Sequence, residues 1–274
     1  MGVRIGEYEL TFLIDTRAPL GSLVELFPGV GEESWSVYRD LYPELIDEGR
    51  WSPPFGCFLL RSDAGTVLVD AGVGPPGGSF LPGAEGLLPT ALSDAGVHPD
   101  EIDICVFTHL HIDHVGWASR DGRPLCPRAS YVSTRSDFNW VEQREPLERD
   151  RVLHPLMPLV RSGSLSLVEA PADVMPGVRL IPTPGHTPGH ASVHVASRGS
   201  EAIILGDVAV HPALLDRPEW VYRFDVEPEE AVATRRAVLD EVAGKDTIVA
   251  CGHFPGGIGR VERRASQVVW RPIE

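Results

Sequence analysis

Four potential metal ligands fall within six residues, His109, His111, Asp113 and His114, in the run Thr108-His-Leu-His-Ile-Asp-His114. Imidazole nitrogen and carboxylate oxygen are donors that zinc and related divalent ions take. With the His and Asp content of this chain, such a run arises by chance in roughly one chain per thousand, so a solvated surface stretch is a poor account of it. A single tetrahedral ion cannot use all four, because His109 and His111 point one way on a turn while Asp113 and His114 lie further along it. Two ions are therefore implied, and each needs more ligands. His186, Asp207 and His253 each stand at the end of an expected strand and close the count at five His and two Asp. That set suffices for two zinc ions about 3.5–4 Å apart, joined by a carboxylate and a hydroxide, with Fe, Mn or Co as other candidates.

The elements that must position these residues are short. Gly (28) and Pro (25) punctuate the chain, which fits many strands and loops better than a helix bundle. Apolar runs bounded by turn residues predict strands at 57–61, 66–70, 102–107, 129–133, 178–181, 191–195, 202–205, 247–250 and 268–270. Helices are expected at 87–95, stopping at Gly96, at 136–144, and at 227–243 before Gly244. Strands with interspersed helices and no internal repeat indicate one layered α/β domain over 1–274, two sheets with helices outside. Residues 16–54 read as an irregular arm with one short helix around Trp35 to Tyr42, either a surface feature or a substrate lid.

Composition removes several classes. The net charge of -15, with 24 Lys plus Arg against 39 Asp plus Glu, argues against nucleic acid and anionic membranes as partners. No stretch is long enough to span a bilayer, and Met1 to Leu10 do not read as a signal peptide. Cys57, Cys105, Cys126 and Cys251 form no C-x-x-C pair and are expected reduced, which favours the cytoplasm. A small-molecule substrate is the expected partner, and a homodimer is compatible with the sequence.

Thr108 to Gly116, Pro184-Gly-His-Thr-Pro-Gly-His190, Leu205-Gly-Asp207 and Gly252-His253 resemble successive metal motifs of the metallo-β-lactamase superfamily, and Val67-Leu-Val-Asp-Ala-Gly72 resembles its early strand motif. The motifs span about residues 55 to 260 in the superfamily's order. The resemblance implies an αββα sandwich, with His109, His111 and His186 on one zinc, Asp113, His114 and His253 on the other, and Asp207 bridging. A hydroxide held between the two ions would then be the nucleophile, with Asp113 or Asp207 passing a proton to the leaving group. No G-x-S-x-G run offers a serine alternative.

Fold alone leaves the substrate open. His111 stands where flavodiiron proteins place Glu, and the basic surface of the nucleases is missing. The segments Val208 to Pro212, Pro218 to Asp225 and Phe254 to Val261 resemble the branch containing methyl parathion hydrolase and related lactonases and esterases. The N-acyl homoserine lactonases fit less closely, since the tyrosine they carry soon after the bridging aspartate is replaced here by Val208-Ala-Val210. Tyr222 is the candidate substitute. The leading expectation is opening of a lactone or cleavage of an aryl or alkyl ester, with organophosphate side activity. Alternatives are a thioesterase, of glyoxalase II type or acting on biosynthetic acyl thioesters, a mononuclear iron sulfur dioxygenase and a non-catalytic metal-binding module.

Phe27, Trp35, Trp117, Trp140, Trp220, Tyr222 and His211 are the candidates for shaping a substrate pocket, each weighed against ordinary core packing. His190 supports the site or packs beside it, because one loop cannot easily aim it and His186 at one ion. His98, His154 and His194 are ordinary histidines. Asp70 orients a loop backbone or a ligand histidine.

Overall fold

The computed structural model describes residues 2–76, 84–264 and 267–273. Among these, the first sheet runs Val3–Ile5, Tyr8–Arg17, Pro54–Ser62, Gly65–Val69, Ile104–Val106, Ser130–Thr134 and Leu165–Val168. The second runs Ala172–Met175, Val178–Pro182, Ala191–Ser197, Ser200–Ile204, Ile248–Ala250, Ile258–Arg264 and Gln267–Pro272. In both, order in space is order in the chain, so each half of the sequence builds one sheet. The expected α/β sandwich is what the chain forms.

Period-two alternation sets the layers. Phe58, Leu60, Val67, Val69, Ala202, Ile204, Ile248 and Ala250 face inward and fill the space between the sheets. Their neighbours Leu59, Leu68 and Cys105 face the opposite way, under the helices Leu88–Asp94, Arg135–Glu142 and Pro146–Ser162. Ile203 and Val249 do the same on the second sheet, beneath the helices Glu32–Leu41, Ala213–Asp216 and Pro228–Val242. Three adjacent pairs in the first sheet are parallel, from Gly65–Val69 through to Leu165–Val168, as is one in the second, Ser200–Ile204 with Ile248–Ala250. The carboxyl ends of parallel strands all open at one edge of a sheet, which is where α/β folds place their ligands.

The expected helices at 87–95, 136–144 and 227–243 form within two residues of those bounds, while the strand expected over 102–107 shortens to Ile104–Val106 because Pro99–Glu101 closes a 3-10 turn just before it. Pro146–Ser162 escapes sequence reading because Pro155 and Pro158 lie inside it. Both are buried, and the helix persists by packing Leu156 and Leu159 onto the first sheet.

Residues 16–54 hold more structure than a single short helix. They begin within the strand Tyr8–Arg17, continue through Leu23–Leu26 and Glu32–Leu41, and close with a two-stranded hairpin, Ile46–Asp47 with Arg50–Trp51. Phe27, Trp35, Tyr42 and Trp51 converge on His211, with ring centroids 5.2–6.3 Å from its imidazole. The His211 Nδ1 accepts the Ala213 amide at 3.0 Å, and burial pushes the imidazole down to about 3. A free imidazole titrates near 6.5, so below that pH the unfolded chain takes up a proton that the folded chain refuses. His211 therefore removes stability as pH falls from about 6.5 toward 3, by up to ~1.4 kcal/mol per pH unit. In urea unfolding between pH 4 and 7, His211→Gln is expected to show a shallower loss of stability with falling pH than the parent; equal slopes would refute this.

Candidate metal centre

The run 108–114 begins one residue beyond the strand Ile104–Val106, and the short helix Ile112–Val115 turns Asp113 and His114 in behind His109 and His111. His186 lies on the loop after Val178–Pro182, Asp207 just after Ser200–Ile204, and His253 just after Ile248–Ala250. The fold brings all seven to one point, between the two sheets' carboxyl-end loops.

Two sets of donor atoms result. His109 Nε2 and His186 Nε2 lie 3.1 and 3.0 Å from His111 Nδ1. Three imidazole nitrogens at such spacing fit a common cation about 2.0–2.1 Å from each. In the second set, Asp113 Oδ2 is 3.6 Å from His114 Nε2 and 3.7 Å from His253 Nε2. Asp207 spans the sets, with Oδ2 3.3 Å from His186 Nε2 and Oδ1 3.4 Å from both His114 Nε2 and His253 Nε2. His114 Nε2 and Asp207 Oδ1 are buried without a hydrogen-bond partner among the described residues. Orphaned atoms of that kind are costly unless a cation takes them, so the residues fit a two-metal centre.

The far side of four of the five imidazoles is held. His114 Nδ1 sits 2.8 Å from Asp70 Oδ2, His186 Nδ1 3.0 Å from Asp225 Oδ1, His253 Nδ1 2.9 Å from the Pro54 carbonyl, and His109 Nδ1 3.1 Å from Thr108 Oγ1. Such contacts fix which nitrogen keeps a lone pair for the cation. Burial also keeps the His109 imidazole well below its usual range, so no proton competes at Nε2.

Asp70 does more than hold His114. It bends the chain after Gly65–Val69 with φ +63°, and its carboxylate accepts the Thr108 amide and hydroxyl at 2.8 and 2.9 Å. Asp137 pins two ligand loops at once, accepting the Leu110 amide at 2.6 Å and the Gly189 amide at 3.0 Å. His190 accepts the Asp207 amide on Nε2 at 2.9 Å while its Nδ1 donates to Thr183, so it aims Asp207 rather than reaching the cluster. Gly206, at φ +58°, passes so close that a Cβ there would lie 2.6 Å from His190 Nε2.

A cleft of about 270 Å³ opens onto the cluster. Its floor is His111, Asp113, His186, Asp207 and His253; its walls include Trp140, Tyr222, Phe224, Ile112 and Trp51, with Arg144 and Arg151 on its lining as well. Tyr222 stacks on His186 at 6.1 Å, and Trp140 stands 5.7 Å from the His111 ring. Of the aromatic candidates, the structure brings these two to the cleft. Phe27, Trp35 and His211 lie behind it in the cluster beneath the 16–54 segment, and Trp220 packs on Trp35 at 4.9 Å. Trp117 is buried with its indole N–H on Asp15 at 3.0 Å. Each of these five has an apolar or hydrogen-bonded berth of its own, which is why size and hydrophobicity alone misplace them.

A family model described as the metallo-beta-lactamase superfamily matches residues 57–253. The chain belongs to the metallo-β-lactamase superfamily. Among curated proteins, this metallo-β-lactamase chain is 26% identical over 216 residues to an N-acyl homoserine lactonase of Bacillus thuringiensis, covering 73% of itself and 81% of that protein. A probable metallo-hydrolase of Mycobacterium bovis is also 26% identical, over 232 residues, 72% of this chain and 73% of that one. Among solved structures, the hydrolase AbOPH superimposes with a TM-score of 0.87 at 24% identity, over 100% of this chain and 97% of that one. AidC, a dizinc quorum-quenching lactonase, superimposes at 0.86 and 19% identity, over 100% and 97%. No helix among the described residues is long and apolar enough to cross a membrane.

Removal of the Asp70 carboxylate should loosen both His114 and the Thr108 turn. Asp70→Ala is expected to weaken metal binding about 10–100-fold in competition with a chromophoric chelator. Unchanged affinity would show that this carboxylate only stabilises the fold.

Proposed function

We propose that this chain is a dinuclear metal hydrolase that opens lactones, with zinc as its metal and aryl or alkyl esters and organophosphates as side substrates. The observation that carries the reading is the cleft, whose floor is five of the seven donor residues and whose walls are largely apolar. An acyl chain suits such walls, and the lactonase relatives supply the ring chemistry to test first.

Two bound ions would lower the pKa of water from 15.7 to about 7 and polarise a carbonyl oxygen. His109, His111 and His186 would hold one ion and Asp113, His114 and His253 the other, with an oxygen of Asp207 toward each. Among the two carboxylates, the Asp113 side chain is the more accessible from the cleft, at 12% against 6% for Asp207. Asp113 is therefore assigned the proton transfer: it receives a proton from water as the carbonyl is attacked and returns it to the ring oxygen as the ester bond breaks. Tyr222 stacks on His186 in the cleft wall, and because burial keeps its phenol protonated it can donate a hydrogen bond to the carbonyl oxygen as charge builds there. Asp207 is fixed from behind by His190 and stays ionised between the two donor sets.

Zinc-loaded protein is expected to open N-acyl homoserine lactones with release of one proton per ring, followed in a pH-stat, and to bind two zinc equivalents. Inactivity across lactone, ester and organophosphate panels would overturn the proposal. Asp113→Asn is expected to lower kcat by about 10²–10⁴-fold. Tyr222→Phe should lower kcat by about 10²-fold with little change in KM, and an unaltered kcat would remove the tyrosine from the mechanism.

A further inference from the structure

Arg235 is a buried cation on the helix Pro228–Val242, 1% exposed, in a stripe otherwise made of Ala231, Leu239 and Val242. A methionine of similar volume would satisfy that packing. Instead the guanidinium is spent on four directed contacts. Nε donates to the Val208 carbonyl at 2.8 Å, and Nη1 donates to the carbonyls of Pro218 at 2.9 Å and Trp220 at 2.8 Å. Nη2 meets Asp225 Oδ2 at 3.3 Å. The acceptors lie at both ends of the segment 208–225, which starts beside Asp207 and carries Tyr222 and Phe224 into the cleft wall.

Asp225 links this clamp to the donor cluster. Its Oδ2 takes Arg235 and the Tyr222 amide, the latter at 3.2 Å, which leaves Oδ1 turned to His186 Nδ1 at 3.0 Å. His186 Nε2 then faces His111 Nδ1 and Asp207 Oδ2. We infer that Arg235 is a positioning residue for the metal centre, acting through Asp225 on His186 and through segment 208–225 on the cleft wall. The inference rests on the two-metal reading above. Only a planar fork reaches acceptors in these separate directions, so lysine cannot replace it. The loop carrying His186 has other moorings, since Thr234 Oγ1 donates to the Pro184 carbonyl and the Val226 and Glu227 amides donate to His186 and Gly185. Loss of the guanidinium should therefore free Asp225 without undocking that loop.

The test compares the parent with Arg235→Met, Asp225→Asn and the double variant, reading zinc affinity by chelator competition, thermal unfolding without zinc, and KM against kcat for the best lactone. Arg235→Met and Asp225→Asn are each expected to weaken zinc binding about 10–100-fold, with no further loss in the double variant. Arg235→Met should also raise KM, because Tyr222 and Phe224 move with the segment. Arg235→Met that unfolds at lower temperature yet binds zinc as the parent does would overturn the inference, as would losses that multiply in the double variant. Should Arg235→Met not fold, the double variant, which leaves no unpaired buried charge, decides: parental zinc affinity in it overturns the proposal. Failure of the parent itself to take up zinc would overturn the two-metal reading and this inference together.

Discussion

Five imidazoles and two carboxylates are forced to within a few ångströms of one another, and two of the inward-facing atoms, His114 Nε2 and Asp207 Oδ1, are buried with no hydrogen-bond partner among the described residues. Among the described residues nothing satisfies His114 Nε2 or Asp207 Oδ1, and the architecture around them holds the donors apart and aimed. That constraint explains the density of support. Asp70, Asp137 and Asp225 each lie behind the cluster and spend their oxygens on backbone amides or on the far nitrogen of a histidine. Rigid aim is obtained from groups that never face the cleft.

The sheets serve the same end. Parallel neighbours deliver several chain ends to one edge of each sheet, so loops distant in sequence meet without long excursions. The inter-sheet core of Phe58, Leu60, Val67, Ile204 and Ile248 stops just short of that edge. Apolar burial thus fixes the distance between the two groups of loops, and hydrogen bonds only refine it.

The clustered donors were legible because they are crowded in one dimension: His109 to His114 is a local pattern, and His186, Asp207 and His253 each follow a readable strand. The strands at 57–61 and 66–70 were legible for a similar reason, as short apolar runs bounded by turn residues. Asp137 and Asp225 were not legible, since each becomes a support only when a remote amide or histidine arrives, 27 residues away for Leu110 and 39 for His186. Arg235 did carry a signal, a charge at an apolar helical position between Ala231 and Leu239, which the helix assignment passed over. The pocket aromatics failed for the converse reason: Trp35 and Phe27 have the composition of a substrate wall but are claimed by His211 and Trp51 from a second core. Trp140 and Tyr222 are chemically no different, and only their position separates them, Trp140 on the helix Arg135–Glu142 and Tyr222 on the 208–225 segment, both lining the cleft.

Because each half of the chain makes one sheet, the cluster is divided between them: His109, His111, Asp113 and His114 come from the first half, His186, Asp207 and His253 from the second. Neither half owns a complete donor set. The donor sets therefore close only where the loops of the two sheets meet, so the cluster is a property of the seam and of neither sheet alone. A cluster divided this way owes its geometry to the packing of one sheet on the other.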